Sequence, residues 1–496
     1  MRLVSSRNDS ENISTIKAMI KGLSDDGGLY TPVLEEEKIN LDDIKDLNYK
    51  QLAVKIISFF MKDFDEAEIK ECVDRAYGSK FDDPQIAPLT SLEEFHILEL
   101  WHGPTSAFKD IALTLLPQLL TKAYKKDNCQ KTLSILTATS GDTGKAALES
   151  FANVPNTAIT VFYPEIGVSD IQKKQMATSC GNNIEVIAVN GNFDDCQKLI
   201  KKATTDKGIL SGLDNVTISS ANSINIGRLI PQVVYYYYAY FELARRKKIA
   251  IGDKINFCVP TGNFGNILAG YLAKESGLPI NKLICASNSN HILTDFIKTG
   301  IYDLHRDFIT TMSPSMDILI SSNLERLLYL LYKNSDKIIE LMKKLDQDKV
   351  YKLDKNAMDI IQNSFKAYWT SEEETVTTIK EVFNKEKELV DPHTAVAIHA
   401  AKQYKDETGD NLQTVILSTA SPYKFTADVL RAINGESLAD SFEAMNRLEQ
   451  VSGKPVPENL KILEHLPIRF DRSINIEEGM GVIRKRLEDI NHAYKN

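Results

Sequence analysis

The spacing of apolar positions changes character about a fifth of the way along the chain. Before that point they recur at helical intervals, as in "DLNYKQLAVKIISFFMKDF" (46–64), and are separated by polar turns such as "SDDGGLYTP" (24–32). This predicts a mostly helical N-terminal domain over residues 1–92. Further on, short β-branched runs appear, each closed by a glycine or polar turn and followed by a helical pattern. "LSILTATS" (133–140), "AITVFYP" (158–164), "IEVIAVN" (184–190), "INFCVP" (255–260), "LICASN" (283–288) and "TVILSTA" (414–420) are continuously apolar where a half-exposed strand would alternate. That is the mark of strands buried on both faces of parallel sheets, and it predicts a doubly wound α/β architecture. Residues 303–384 read as helical again, most clearly in "SSNLERLLYLLYKNSDKIIELMKKL" (321–345), and a polar, charged extension over 435–496 is expected to wrap the surface.

Length and charge narrow the picture. A chain of 496 residues is expected to form two or three domains with well-filled cores. A net charge of -9 with no long basic run argues against nucleic acid as a partner, so an anionic ligand would need a local basic site. No apolar stretch reaches the roughly 18 residues of a membrane span, and the first residues lack the apolar core of a signal peptide; no membrane partner and a cytoplasmic location are expected. Cys72, Cys129, Cys180, Cys196, Cys258 and Cys285 are scattered, without CxxC or a histidine at metal spacing, so neither a disulfide nor a metal site is expected.

Candidate chemistry gathers where apolar runs end. In "HGPTSAFKD" (102–110), Lys109 opens what reads as one apolar helix, "IALTLLPQLL". It is either a surface lysine with a snorkelling stem or an amine held near an apolar interior, where it titrates low and becomes a nucleophile toward aldehydes. After the strand at 255–260 come Gly262, Asn263, Phe264, Gly265 and Asn266, and a helix starts at once. Either this is a tight strand-to-helix turn, or its N–H groups converge on an anion. Ser140, Asp142 and Thr143 sit in a second such loop, where Ser140 and Thr143 either cap the helix or receive a small carboxylate or phosphate. Thr419 lies past a third strand, and Asn222, Ser223 and Arg228 precede a tyrosine-rich helix expected to serve packing or a subunit contact. Arg228 is of the right type for a bidentate phosphate clamp, although a surface ion pair is the commoner place for an arginine.

Together these stretches resemble the threonine synthase family, enzymes of the tryptophan-synthase β-like fold that use pyridoxal phosphate (PLP). The resemblance runs through "GLSDDGGLYTP", "HGPTSAFKD", "TSGDTGKAAL", "YPEIGVSDIQKKQM", "GNFDDCQ", "NSINIGRLIPQ", "PTGNFGNILAGY", "TMSPSMDILISSNLERLL", "DPHTAVA" and "LSTASPYKF", in the family's order. It implies PLP-dependent fold type II: two doubly wound α/β lobes beside the N-terminal domain, with a large PLP-binding lobe over 93–130 and 220–434 and a small lobe over 131–219. It implies that Lys109 holds PLP as a Schiff base, that Gly262, Asn263, Phe264, Gly265 and Asn266 cradle its phosphate, and that Thr419 lies beside the pyridine nitrogen, keeping it largely unprotonated. It assigns Ser140, Asp142 and Thr143 to the substrate carboxylate or the cofactor face, and Asn222, Ser223 and Arg228 to the substrate phosphate. The implied reaction turns O-phospho-L-homoserine and water into L-threonine and phosphate, in a monomer or homodimer. A related phospho-lyase or dehydratase and a non-catalytic PLP-binding module are the rival functions. The chain departs from the family in "TASPYKF", where Ser421 replaces a histidine and Tyr423 a small residue, and in Asn266, where relatives often carry aspartate.

Overall fold

The computed structural model describes residues 2–139, 141–206 and 208–493, apart from the side chain of Asp194. Two sheets organise it. The larger has six strands in the order Phe365–Trp369, Ile280–Ser287, Ile255–Pro260, Thr414–Ser418, His96–Glu99 and Leu89–Ser91, all parallel except the last pair. The smaller has five parallel strands in the order Ser473–Asn475, Ile184–Asn190, Thr157–Pro164, Thr132–Ala138 and Val216–Ser220.

Alternate residues of each central strand enter different cores, which explains the unbroken apolar runs. Phe257 and Val259 join one cluster and Cys258 another; Leu283 and Cys285 divide from Ile284 and Ala286 in the same way. In the small sheet Ile159 and Val161 face the first core while Ala158 and Phe162 face a third. Both faces of each sheet are therefore covered, as parallel sheets require. Helix Pro392–Thr408 packs across three central strands of the large sheet, and helices Asp142–Phe151 and Phe193–Thr205 pack on the small one. All six cysteines are free thiols. Among the described residues no helix is long and apolar enough to cross a membrane, and no cluster of three potential metal ligands occurs.

Several elements differ from the sequence reading. The N-terminal region carries three helices but also an antiparallel pair, Arg2–Ser5 with Tyr30–Val33, and Leu89–Ser91 pairs within the large sheet. Residues 303–384 are not uniformly helical: "FKAYW" forms the strand Phe365–Trp369 at the sheet edge, since its aromatic residues suit a pleated surface once the preceding helix ends at Ser364. The apolar helix after Lys109 is two helices, Lys109–Leu113 and Leu116–Lys126. Pro117 explains the break, for its ring opposes the carbonyl four residues back and it has no N–H to continue the ladder. The C-terminal extension does more than wrap the surface. Its strand Ser473–Asn475 completes the small sheet, Ile474, Ile483 and Leu487 are buried in that lobe's core, and Asn459 bonds Pro104 O (2.9 Å) and Ser106 Oγ (3.0 Å) just ahead of Lys109.

Candidate active site

Ser106 has a left-handed backbone (φ 57°), an unusual state for serine, and it is held by a bond from Ser421 N–H to its carbonyl and by Asn459 on its hydroxyl. Phe108 N–H donates to Thr419 O at 2.8 Å. These ties aim the Lys109 side chain into a cavity that it shares with Thr143, Asn222, Ser223, Arg228, Gly262, Asn263, Phe264, Gly265, Asn266, Ser315, His393 and Thr419. Lys109 is therefore a cavity amine: its side chain is 12% exposed, with Nζ 3.5 Å from Asp142 Oδ2 and 5.0 Å from the Phe108 ring centre. Burial pulls its pKa down; Asp142 opposes that, and the positive charges of Lys424 and Arg228 add to it.

The Thr261–Asn266 turn takes its shape from both ends. Phe264 adopts φ 60°, a strained state for a bulky residue, and its buried ring packs 5.9 Å from Phe365. Ser321 Oγ donates to Gly262 O (2.7 Å), and Asn323 donates to Asn263 O from both its backbone N–H and its side chain. The carbonyls are thus occupied from behind, and the helix that starts at Gly265 presents N–H groups with no intrahelical acceptor. A Cβ on Gly262 would meet Ser315 O at 2.6 Å, so the loop over it requires a glycine there. Tyr235 and Tyr236 of the tyrosine-rich helix are buried in packing, and both hydroxyls donate to Asn266 Oδ1 (2.5 and 2.9 Å). That leaves buried Asn266 Nδ2 as a donor without a partner.

Arg228 is buried. Its Nη1 donates to Ala221 O (2.6 Å), its Nε has no partner, and among the described residues no carboxylate pairs with it. Burial lowers its pKa to about 10. Asn222 and Ser223 line the same cavity, with Ser223 Oγ accepting from Asn323 Nδ2.

The loop before helix Asp142–Phe151 differs from an open anion cradle. The Gly141 and Gly144 N–H groups both donate to Thr139 Oγ1 (2.9 and 2.8 Å). The Asp142 carboxylate turns toward amines, with Lys424 Nζ at 2.5 Å as well as Lys109, and accepts from Gln172 Nε2 (2.8 Å) and Ser315 Oγ (3.2 Å). Burial works against its charge, yet Lys424 and Lys109 hold it ionised well below the usual carboxylate range. Ser140 lies outside the described residues.

Sequence reasoning assigned no role to Lys424, His393, Ser315 or Arg326. His393 bridges the cavity wall: its Nε2 accepts from Ser315 N–H (3.1 Å), so the ring proton is on Nδ1, which donates to Asp391 Oδ1 (2.7 Å). Asp391 is in turn the N-cap of helix Pro392–Thr408, which is why the two residues sit two apart. Ser421 does not line the cavity; it caps the short turn Pro422–Lys424 by accepting from Tyr423 N–H and so fixes Lys424.

Comparison with known proteins places this geometry. A family model described as pyridoxal-phosphate dependent enzyme matches residues 84–420, and models of the threonine synthase N terminus and C-terminal region match 2–77 and 394–479. The threonine synthase of Pseudomonas aeruginosa is 38% identical over 90% of this chain and 95% of its own length. The chain belongs to the threonine synthase family. Threonine synthase-like 1 of Homo sapiens is 41% identical over 84% of this chain, which spans 58% of that relative's length. A crystal structure of PLP-bound threonine synthase from Brucella melitensis superposes with a TM-score of 0.85 at 33% identity, covering 100% of both chains, and gives this chain PLP-dependent fold type II. The residues present fit the family's cofactor: one cavity combines an amine, a helix start and two buried donors without partners, Asn266 Nδ2 and Arg228 Nε. Such orphaned donors suit an anionic ligand.

Proposed function

We propose that the chain converts O-phospho-L-homoserine and water to L-threonine and inorganic phosphate in the cytosol. The observation that carries the reading is the shared cavity, in which Lys109 faces both a helix start suited to the cofactor phosphate and an unpaired arginine suited to a second phosphate. When bound, PLP supplies a ring that delocalises negative charge from the substrate carbons. Lys109 holds the cofactor and then, with its amine free, takes the Cα proton and later a Cβ proton as general base. Gly262, Asn263, Phe264, Gly265 and Asn266 bind the cofactor phosphate through N–H groups, and Thr419, which also lines the cavity, offers its hydroxyl to the pyridine nitrogen. Arg228, with Asn222 and Ser223, binds the substrate phosphate. Thr143 borders the space left for the substrate carboxylate, while Asp142 orients the lysine amine.

The test is to mix the purified yellow protein with O-phospho-L-homoserine and assay threonine and phosphate together. Equal appearance of both supports the reading. Phosphate without threonine moves the function to a related phospho-lyase, an outcome to which the Ser421 departure gives interest, and an inert protein points to a non-catalytic module. Arg228→Ala is expected to raise KM about 10- to 100-fold, the loss of one or two charge-assisted bonds, with little change in bound cofactor. A constant KM would place the clamp elsewhere.

A further inference from the structure

Two lysines share one carboxylate in the buried interior. Lys424 Nζ lies 2.5 Å from Asp142 Oδ1 and donates to Thr105 O at 3.1 Å, while Lys109 Nζ and Ser315 Oγ occupy the Oδ2 side. Lys424 is wholly buried, on a turn that Ser421 caps and that Tyr423 anchors through its hydroxyl to Lys454 O of the C-terminal extension. Asp142 opens a small-lobe helix, whereas both lysines belong to the large lobe, so the carboxylate also joins the lobes.

We propose that Lys424 is a positioning residue for Lys109, acting through Asp142: by occupying the carboxylate it leaves the Lys109 amine as the free base. Charge balance around the shared carboxylate decides which lysine is the neutral one. Asp142, Lys424 and Arg228 are the charged groups facing Lys109 from neighbouring elements, and Asp110 follows it on its own helix. Asp110 is engaged by Thr105, whose N–H and hydroxyl both donate to its carboxylate, and burial pushes its pKa up. One carboxylate thus stands beside Lys424 and Arg228, and a protonated Lys109 would add a further positive charge to a poorly solvated site. Of the other charges on the adjoining helices, Lys145 pairs with Glu149, while Asp391 is engaged by His393 and the helix start it caps. With Lys424 removed, Lys109 and Asp142 would form the neutral pair themselves, and the amine would stay protonated.

The inference rests on Lys109 as the cofactor-bearing amine but not on the substrate, so its test uses cofactor uptake. Only the free amine reacts: its lone pair adds to the aldehyde carbon of PLP, a C=N bond forms, and the carbonyl oxygen leaves as water with the two amine protons. The full-length chain, freed of cofactor, is mixed with PLP at pH values from about 6 to 10, and the rate of uptake is followed by visible absorbance, with Lys109→Ala as the blank. Lys424→Met is expected to move the midpoint of the rate profile up by at least about one pH unit, making uptake about tenfold slower at neutral pH, while Lys424→Arg keeps the midpoint. An unmoved midpoint, or equal slowing at every pH, would overturn the inference by reducing Lys424 to a packing role. If Lys424→Met does not fold, Lys424→Gln, which keeps a donor toward Asp142 without the charge, is held to the same outcomes. Uptake in Lys109→Ala equal to that of the unmodified chain would overturn the assignment of Lys109 and this inference together.

Discussion

Lys109→Ala is expected to give a folded, colourless and inactive protein. The amine is not a support of the fold: Asp142 keeps Lys424, Gln172 and Ser315 when it is removed, and the turn before it is held by Asn459 and by Ser421 N–H without it. Thermal midpoint and far-ultraviolet circular dichroism should therefore stay close to those of the unmodified chain. What disappears is the covalent hold on the cofactor and the base beside the substrate. General-base catalysis alone is worth about 10²- to 10⁴-fold, so threonine formation should fall by at least that factor even with excess PLP. Absorbance retained after gel filtration reports the first loss, and product formation the second. A variant that stayed yellow and active would remove Lys109 from the centre of the mechanism.

How much of this was legible beforehand depended on whether a feature is local. The buried strands were readable because both faces are covered, which forces unbroken apolar runs such as Ile255–Pro260. The turn at 261–266 was readable because a strand, two glycines and a helix follow one another within a few residues. Lys109 stood out by contrast with its apolar surroundings. Other features have no local signature. Nothing in "SIN" marks Ser473–Asn475 as the last strand of a sheet whose neighbour lies nearly three hundred residues earlier. The left-handed Phe264 departs from the rule that bulky residues avoid that region, and it is held there by packing against Phe365 and by the bonds from Ser321 and Asn323 to the turn's carbonyls. Asp142 reads as one more polar residue at a helix start; its pairing with two lysines, one of them 282 positions later (424 minus 142), exists only in three dimensions. Lys424 and His393 are hidden in the same way, each set by a cap whose purpose depends on what the turn or helix is packed against.

Arg326 is the clearest case of such a hidden residue, and its removal should have the largest effect on stability. In "NLERLL" it reads as the polar face of an amphipathic helix, yet in Leu324–Tyr332 it is completely buried. Its guanidinium donates to Tyr30 O (2.9 Å), Ser223 O (3.2 Å), Ile224 O (2.5 Å) and Asn323 Oδ1, which joins the N-terminal strand pair, the Asn222–Arg228 segment and the residue that braces the Gly262–Asn266 turn. Burial draws its pKa down to about 9, and the one carboxylate that favours its charge, Glu325, already holds Arg7 in a bidentate pair. Arg326 is thus kept for its geometry: a planar fork can reach three carbonyls in different directions where an ammonium cannot. Arg326→Met relieves the buried charge but leaves those acceptors without donors, a net loss of about 3–5 kcal/mol. For a chain of 496 residues the thermal midpoint should fall by about 3–5 °C. Arg326→Lys should recover little of this, since one ammonium cannot span the same three carbonyls. Because Ser223 borders the cavity and Asn323 braces Asn263 of the turn that lines it, PLP retention should weaken in both variants at temperatures where the chain is still folded. A Met variant with an unchanged midpoint would mean that the three segments are held together by their apolar packing alone.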